Sequence, residues 1–295
     1  MLSTSPLVRR MHLAQVLLGL RHEAGLTHEQ LVKATGLPRQ TLSRLENADR
    51  KPNLAAVIKL LRALGVEPSG TRYQEIVDLA MEAAETGWWD RREYAGMGDR
   101  QRIVANIEHG ATTIREYQPF LVAGLVQTEV YARCRAEMAG AEDIESVVAG
   151  RLRRQQLLAS KDAPACQLVV EEQVVRRLSV PPPVMLAQLE RLLELAGGVV
   201  DLRVLPVDGR VGDGFSPRSP FTLYGHGGGD PLVAVVDTVY QDLIEASADT
   251  TAAYAELFGR LYDAALSVEE SAGLIQEVAG KLAAEVRSGE DSDVP

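Results

Sequence analysis

Cysteine is scarce in this sequence, and so are long apolar runs. The only two cysteines, Cys134 and Cys166, are far apart and neither has a CxxC partner, which argues against a disulfide framework and a zinc knuckle. No run of eighteen apolar residues occurs, and the N-terminus lacks a small-residue cleavage site after a hydrophobic stretch. We therefore expect a soluble, unexported protein in the cytoplasm, with no membrane partner.

Signatures of catalysis, metal binding and cofactor binding are also missing. Glu171 and Glu172 are adjacent on a predicted strand, so their side chains should point to opposite faces of the sheet. His109 and His226 lack cysteine or carboxylate neighbours at ligand spacing, and no GxSxG element occurs. The HGGGD loop at residues 226–230 lacks the Lys-Ser or Lys-Thr of a phosphate loop and precedes a strand. We expect no enzyme, no metal and no cofactor, although an enzyme tethered to DNA stays as a minor alternative.

Charge is unevenly distributed along the chain. The 295 residues carry a net charge of −10, and their apolar fraction of 46% is enough to bury a core in one large domain or two smaller ones. Residues 1–72 hold 11 Lys and Arg against 5 Asp and Glu, whereas the remainder holds 20 against 36. A basic head on an acidic body is expected where only the head meets a polyanion.

The head shows the pattern of a small helical domain of four to five helices. A first helix carries apolar residues at helical spacing from Leu13 and stops near Gly25. A short second helix should begin at Thr27, with Gln30 completing a capping box, and end near Gly36. Pro38 suits the start of a third helix.

The third helix should run to about Asn47, and a fourth should follow from a cap at Asn53 to Gly65. Two short helices joined by a glycine turn form a helix-turn-helix, whose second helix fits the major groove of DNA. Arg pairs with guanine and Gln with adenine, so the polar face of GLPRQTLSRLE suits base recognition. The alternative is an ordinary helical bundle with a solvated charged face.

The segment LTHEQLVKATGLPRQTLSRLENADRKP, within residues 7–64, resembles the XRE family of DNA-binding domains. The resemblance implies three sets of residues in this head. Those that read base edges are Arg39, Gln40, Ser43 and Arg44. Those that contact phosphates are His28, Thr41, Asn47, Arg50 and Lys51. A structural ion pair between Arg21 and Glu46 ties the first helix to the third.

The domain boundaries follow from composition. We place the helix-turn-helix domain at residues 1–85 and a linker or interdomain packing segment, which contains Trp88 and Trp89, at 86–100. A larger α+β domain with a small sheet should occupy residues 101–286, with strands at CQLVVEE, VDLRVLPV, PFTLYG and LVAVVDT. The acidic tail at 287–295 should be disordered.

This second part resembles the actinomycete WhiJ-like regulators, in which an XRE head precedes an antitoxin-like domain. The resemblance is carried by GWWD, IREYQPFLVAGLVQTEVYAR, RLRRQQLL, LVVEEQVVRRL, PFTLYG and LSVEES. It implies transcriptional control and a small partner protein encoded nearby.

We therefore expect a homodimeric regulator that binds a near-palindromic double-stranded operator and receives a signal from a small-molecule effector or a partner. The alternative is an antitoxin-like protein that sequesters the partner and autoregulates its operon. A candidate surface for the signal or partner comprises Arg151, Arg153, Arg154 and Glu172, although helix solubility and ion pairs within the domain explain the same residues.

Overall fold

A computed structural model describes residues 4–212, 219–238 and 242–292, apart from the side chains of residues 289–292. The chain divides into two compact units. The first contains residues 1–90 together with 103–111 and 226–231, and the second contains residues 91–102, 112–225 and 232–295. The division falls within the segment 86–100, and the first unit includes two short segments that were expected in the second domain.

The first unit is helical. Its helices are α1 (Pro6–Glu23), α2 (His28–Thr35), α3 (Arg39–Glu46), α4 (Leu54–Ala63) and α5 (Thr71–Glu82). The helix α1 begins earlier than the apolar pattern indicated, because Ser5 caps it by accepting a hydrogen bond from the amide of Val8 and Pro6 occupies its first position.

One apolar core holds these five helices together. Its members recur every three or four residues along most of the helices, as burial of one helical face requires. The fully or nearly fully buried members are Leu13, Leu17, Leu20, Leu31, Leu42, Leu45, Ala56, Val57, Leu60, Leu61, Ile76, Leu79 and Ala80. The predicted four to five helices of the head are confirmed.

Later segments complete this unit. Trp89 is 1% exposed and its ring lies 5.2 Å from that of His109. The side chain of Asn106 accepts hydrogen bonds from Ser5 and from the amide of Leu7, at 2.9 and 3.0 Å. The start of α1 is therefore fixed by residues about one hundred positions away in sequence.

The second unit contains a six-stranded mixed sheet in the order β3-β2-β1-β4-β5-β6. The strands are β1 (Ala111–Gln118), β2 (Ala165–Glu171), β3 (Val200–Leu205), β4 (Phe221–His226), β5 (Val233–Val236) and β6 (Leu243–Glu245). The strands β1, β2 and β3 are parallel, whereas β4, β5 and β6 pair antiparallel. The α+β class is confirmed, and β2, β3 and the β4–β5 hairpin lie where the sequence placed them.

The helix α6 (Asp99–Glu108) precedes β1, and its residues 103–108 belong to the first unit. The helices that come after β1 are α7 (Glu129–Met138), α8 (Ile144–Gln155), α9 (Glu172–Arg176), α10 (Pro182–Leu195), α11 (Ala248–Ala264) and α12 (Val268–Ser292). The helix α11 packs on the sheet through Leu257, Phe258 and Leu261. Two short 3-10 helices, Trp88–Asp90 and Arg92–Met97, occupy the predicted linker. Residues 287–292, in the segment for which we expected disorder, continue α12, and residues 293–295 lie outside the described part.

Two strands, β1 and β6, were not predicted from the sequence. The strand β1 contains the run Thr-Thr-Ile-Arg-Glu, whose polar residues hide its central place in the sheet, where an apolar run is typical. The strand β6 is only three residues long and has no fully buried residue.

Candidate nucleic-acid interface

The turn between α2 and α3 has the geometry that the helix-turn-helix pattern requires. Thr27 and Gln30 form a complete capping box at the start of α2, with hydrogen bonds of 2.8 and 3.2 Å. Gly36 ends α2 with a φ of +66°, a left-handed conformation that glycine adopts without steric cost. Pro38 then caps α3 through its backbone position alone, since no side chain bonds to the first amides of that helix.

The helix α3 is anchored on one side and polar on the other. Leu42 and Leu45, 1% and 6% exposed, insert into the core. Arg39 and Gln40 are exposed on the first turn, and Arg44 is half-buried one turn later. Within the described part of the chain, these three polar side chains have no hydrogen-bond or ion-pair partner. A rigid helix thus presents donors that are available to an external ligand.

Arg21 on α1 and Glu46 at the end of α3 are in direct contact. Arg21 Nε donates to Glu46 Oε1 at 2.6 Å and Nη2 donates to Oε2 at 3.3 Å, while Nη1 donates to the carbonyl of Leu26 at 3.1 Å. The side chains are only 14% and 9% exposed. This bidentate pair fixes the orientation of α3 relative to α1.

The residues assigned to phosphate contact surround the same helix. His28 and Thr41 are half-buried, and Asn47 is exposed and donates to Ser43 Oγ at 3.3 Å. The bond joins Asn47, a candidate for phosphate contact, to Ser43, a candidate for base reading.

Arg50 and Lys51 follow in an exposed loop. Lys51 Nζ lies 3.6 Å from Asp90 Oδ2, and both side chains are about one-third to two-fifths exposed. The contact of Asp90 with Lys51 was not predicted, because the two residues are 39 positions apart and no local pattern connects them. A carboxylate at this position competes with a phosphate for the lysine.

In the second unit, the structure places the candidate signal surface at two locations. Arg151 Nη1 donates to Gln127 Oε1 at 2.6 Å, and a side chain at Gly124 would lie 3.5 Å from Arg151 and 3.7 Å from Arg154. Arg153 is exposed and bonds to Gln156 on its own helix. Arg151 and Arg154 therefore lie beside the turn at Gly124.

Glu172 is engaged elsewhere, at the start of α9. It accepts a hydrogen bond from the amide of Val207 at 2.9 Å and another from Arg176. These two bonds hold the pKa of Glu172 below its usual range, the amide contributing most. The contacts of Glu172 tie α9 to the residues after β3, and they do not bring it to the arginines of α8.

Two other features, a metal-binding cluster and a membrane-spanning helix, are absent from the described residues. No three histidine, cysteine or carboxylate side chains in residues 4–212, 219–238 and 242–292 are placed to hold a metal ion. Over the same ranges, no helix has the length and the apolar character needed to cross a membrane.

Comparison with known families agrees with the geometry. Residues 12–73 match the model of a helix-turn-helix domain, so the chain contains such a domain. Residues 101–277, more than half of the chain, match the family described as a domain of unknown function, DUF5753, and the chain belongs to that family. No curated protein and no solved structure matched the chain.

Proposed function

We propose that this protein is a sequence-specific DNA-binding transcriptional regulator whose helix α3 enters the major groove. The observation that carries the proposal is that the donors of Arg39, Gln40 and Arg44 have no partner among the described residues, on a helix held in the core by Leu42 and Leu45. The helix-turn-helix match supports this class of function. Such a protein acts in the cytoplasm, where the chromosome lies.

The chemistry of the exposed side chains indicates what the helix reads. An arginine donates two hydrogen bonds to the O6 and N7 atoms of guanine, and a glutamine pairs with adenine, each discriminating by about 1 to 3 kcal/mol. With Arg39 and Arg44 as the principal readers, the operator half-site contains guanine.

We further propose that the head is of the XRE type and that the chain acts as a homodimer on a near-palindromic operator. An eight-residue recognition helix covers only a few base pairs, and dimers of such domains place two recognition helices one turn of DNA apart or a multiple of it. The second unit then supplies the dimer contacts and receives the signal from an effector or a small partner protein, as in the WhiJ-like regulators that it resembles.

The test is enrichment of random and genomic DNA fragments by the purified full-length protein at physiological salt, followed by sequencing. The variant Arg39→Ala/Arg44→Ala should lose the enriched motif, with a loss of affinity of roughly 5- to 150-fold for each bidentate contact removed. The matched control is Arg91→Ala/Arg92→Ala, which removes two exposed arginines outside the helix-turn-helix.

A paired, guanine-containing motif that disappears only in the α3 variant is the expected result. Absence of any motif from folded protein, or equal loss in the control variant, would overturn the proposal.

A further inference from the structure

A cleft of about 630 Å³ lies in the first unit between α1 and α5. The two helices run antiparallel, because Arg9 pairs with Glu82 at one end, at 3.0 Å, and Glu23 pairs with Arg72 at the other, at 3.3 Å. The volume falls within the range of about 300 to 1,000 Å³ that is typical of small-molecule sites.

The floor of the cleft is apolar. Val16 on α1 and Ile76 and Leu79 on α5 line it, and the α5 pair is 3% and 7% exposed. Gly19 lies among them, and a side chain built there would meet no atom within 4 Å. The absence of a side chain at Gly19 therefore leaves open space above an apolar surface.

The positive charges of the cleft are already neutralised. Arg72 is paired with Glu23, and Arg9 is shared between Glu82 and Asp230, with an Arg9 Nε to Asp230 Oδ2 distance of 3.3 Å. Asp230 has no exposed side-chain surface and also contacts His12 at 2.9 Å. Its Oδ2 is buried and accepts no hydrogen bond from the described residues. Arg9 is thus matched by two carboxylates, of which Glu82 lines the cleft and Asp230 does not.

Two further carboxylates of the cleft have no cationic partner within the described chain. Glu75 is exposed and has no hydrogen-bond or ion-pair partner within the described chain. Asp78 receives one hydrogen bond, from the neutral amide of Gln74 at 2.8 Å. The cleft therefore combines an apolar floor with uncompensated carboxylates along α5, which selects a cation with an apolar body.

We propose that this cleft binds a linear aliphatic polyamine. Glu75, Asp78 and Glu82 are three, four and seven positions apart, so they share one side of α5 over about 10.5 Å. A triamine chain of nine single bonds of about 1.5 Å extends over roughly 11 Å. Two of its ammonium groups pair with Glu75 and Asp78 and the third shares Glu82 with Arg9, while the methylene groups cover the floor formed by Ile76 and Leu79.

This site goes beyond the proposed function, because α1 and α5 carry none of the base-reading candidates of α3. Binding would join α1 to α5 and so stabilise the unit that holds α3.

The test is calorimetric titration of spermidine into the full-length protein without DNA, at about 0.15 M salt, where exposed charge pairs are largely screened. Saturable binding of one spermidine per chain is expected, with much weaker binding of butylamine. The variant Glu75→Gln/Asp78→Asn should weaken spermidine at least tenfold. Glu256→Gln/Asp263→Asn, which removes two exposed carboxylates from α11, should leave binding unchanged.

A second variant tests the floor without changing charge. Gly19→Leu fills the open space and should abolish binding while the helix content stays that of the wild type. The proposal is overturned if spermidine does not saturate the wild type, if the α11 control loses as much affinity as the α5 variant, or if Gly19→Leu binds normally. Since the titration contains no DNA, its failure is distinct from a failure of the proposed DNA recognition.

Discussion

Removal of Glu46 should destabilise the first unit far more than removal of an exposed ion-pair partner. Glu46 and Arg21 are 9% and 14% exposed, so Glu46→Ala leaves a guanidinium in a poorly hydrated position with only the Leu26 carbonyl as partner. Breaking a buried pair in this way costs about 3 to 5 kcal/mol. Because Arg21 keeps that carbonyl, we expect the lower end of the range, about 3 kcal/mol.

The chain offers a matched control and a selective probe. Glu23 also lies on α1 and pairs with an arginine, but the two side chains are 62% and 59% exposed, so Glu23→Ala should cost about 0 to 1 kcal/mol. The only two tryptophans, Trp88 and Trp89, both belong to the first unit. Tryptophan fluorescence during urea unfolding therefore reports the stability of this unit.

A double variant separates the effect of losing the ion pair from the cost of leaving one unpaired charge in a poorly hydrated position. Arg21→Met/Glu46→Leu replaces both charges by apolar groups, and it should recover most of the stability that Glu46→Ala loses. If Glu46→Ala costs no more than Glu23→Ala, or if the double variant is as unstable as Glu46→Ala, the argument that α3 is fixed by a buried ion pair is refuted.

Two other perturbations test single contacts. Asp90→Asn frees Lys51 for a phosphate, so operator affinity should rise and the slope of log affinity against log salt should steepen by about 0.9, as measured by anisotropy over a salt series. An unchanged slope would contradict the competition between Asp90 and a phosphate for Lys51. Burial, and then the 2.6 Å hydrogen bond to Glu171, raise the pKa of Tyr117 far above the unfolded value of about 10. The stabilisation of the folded state by this raised pKa is therefore fully present below about pH 10 and is lost progressively as the pH rises above that value. In urea titrations, Tyr117→Phe should lose less stability than the wild type between about pH 9 and 11, and parallel pH profiles would contradict this assignment.

Local sequence signals predicted much of the first unit. The capping box at Thr27 and Gln30, the end of α2 at Gly36 and the cap at Asn53 each depend on residues a few positions apart, and all three are present. The local hydrophobic pattern likewise predicted the strands β2 to β5. The exposure of Gln40 follows from the helical periodicity, because Gln40 lies on the opposite side of α3 from the buried Leu42. Arg39 lies three positions before Leu42, and its exposure comes from its place at the start of the helix.

The features that the sequence left undetermined depend on residues distant along the chain. The polar strand β1 is a strand because it pairs with β2, its Tyr117 lying opposite Val169, and not because of its own composition. Asp230 meets His12 across 218 positions, and Asp90 meets Lys51 across 39. Sequence by itself determined which helices form and which side chains face outward, since these depend on neighbours within one or two turns. Only the tertiary structure decided which charges pair and where a cleft opens, because these depend on how distant segments pack.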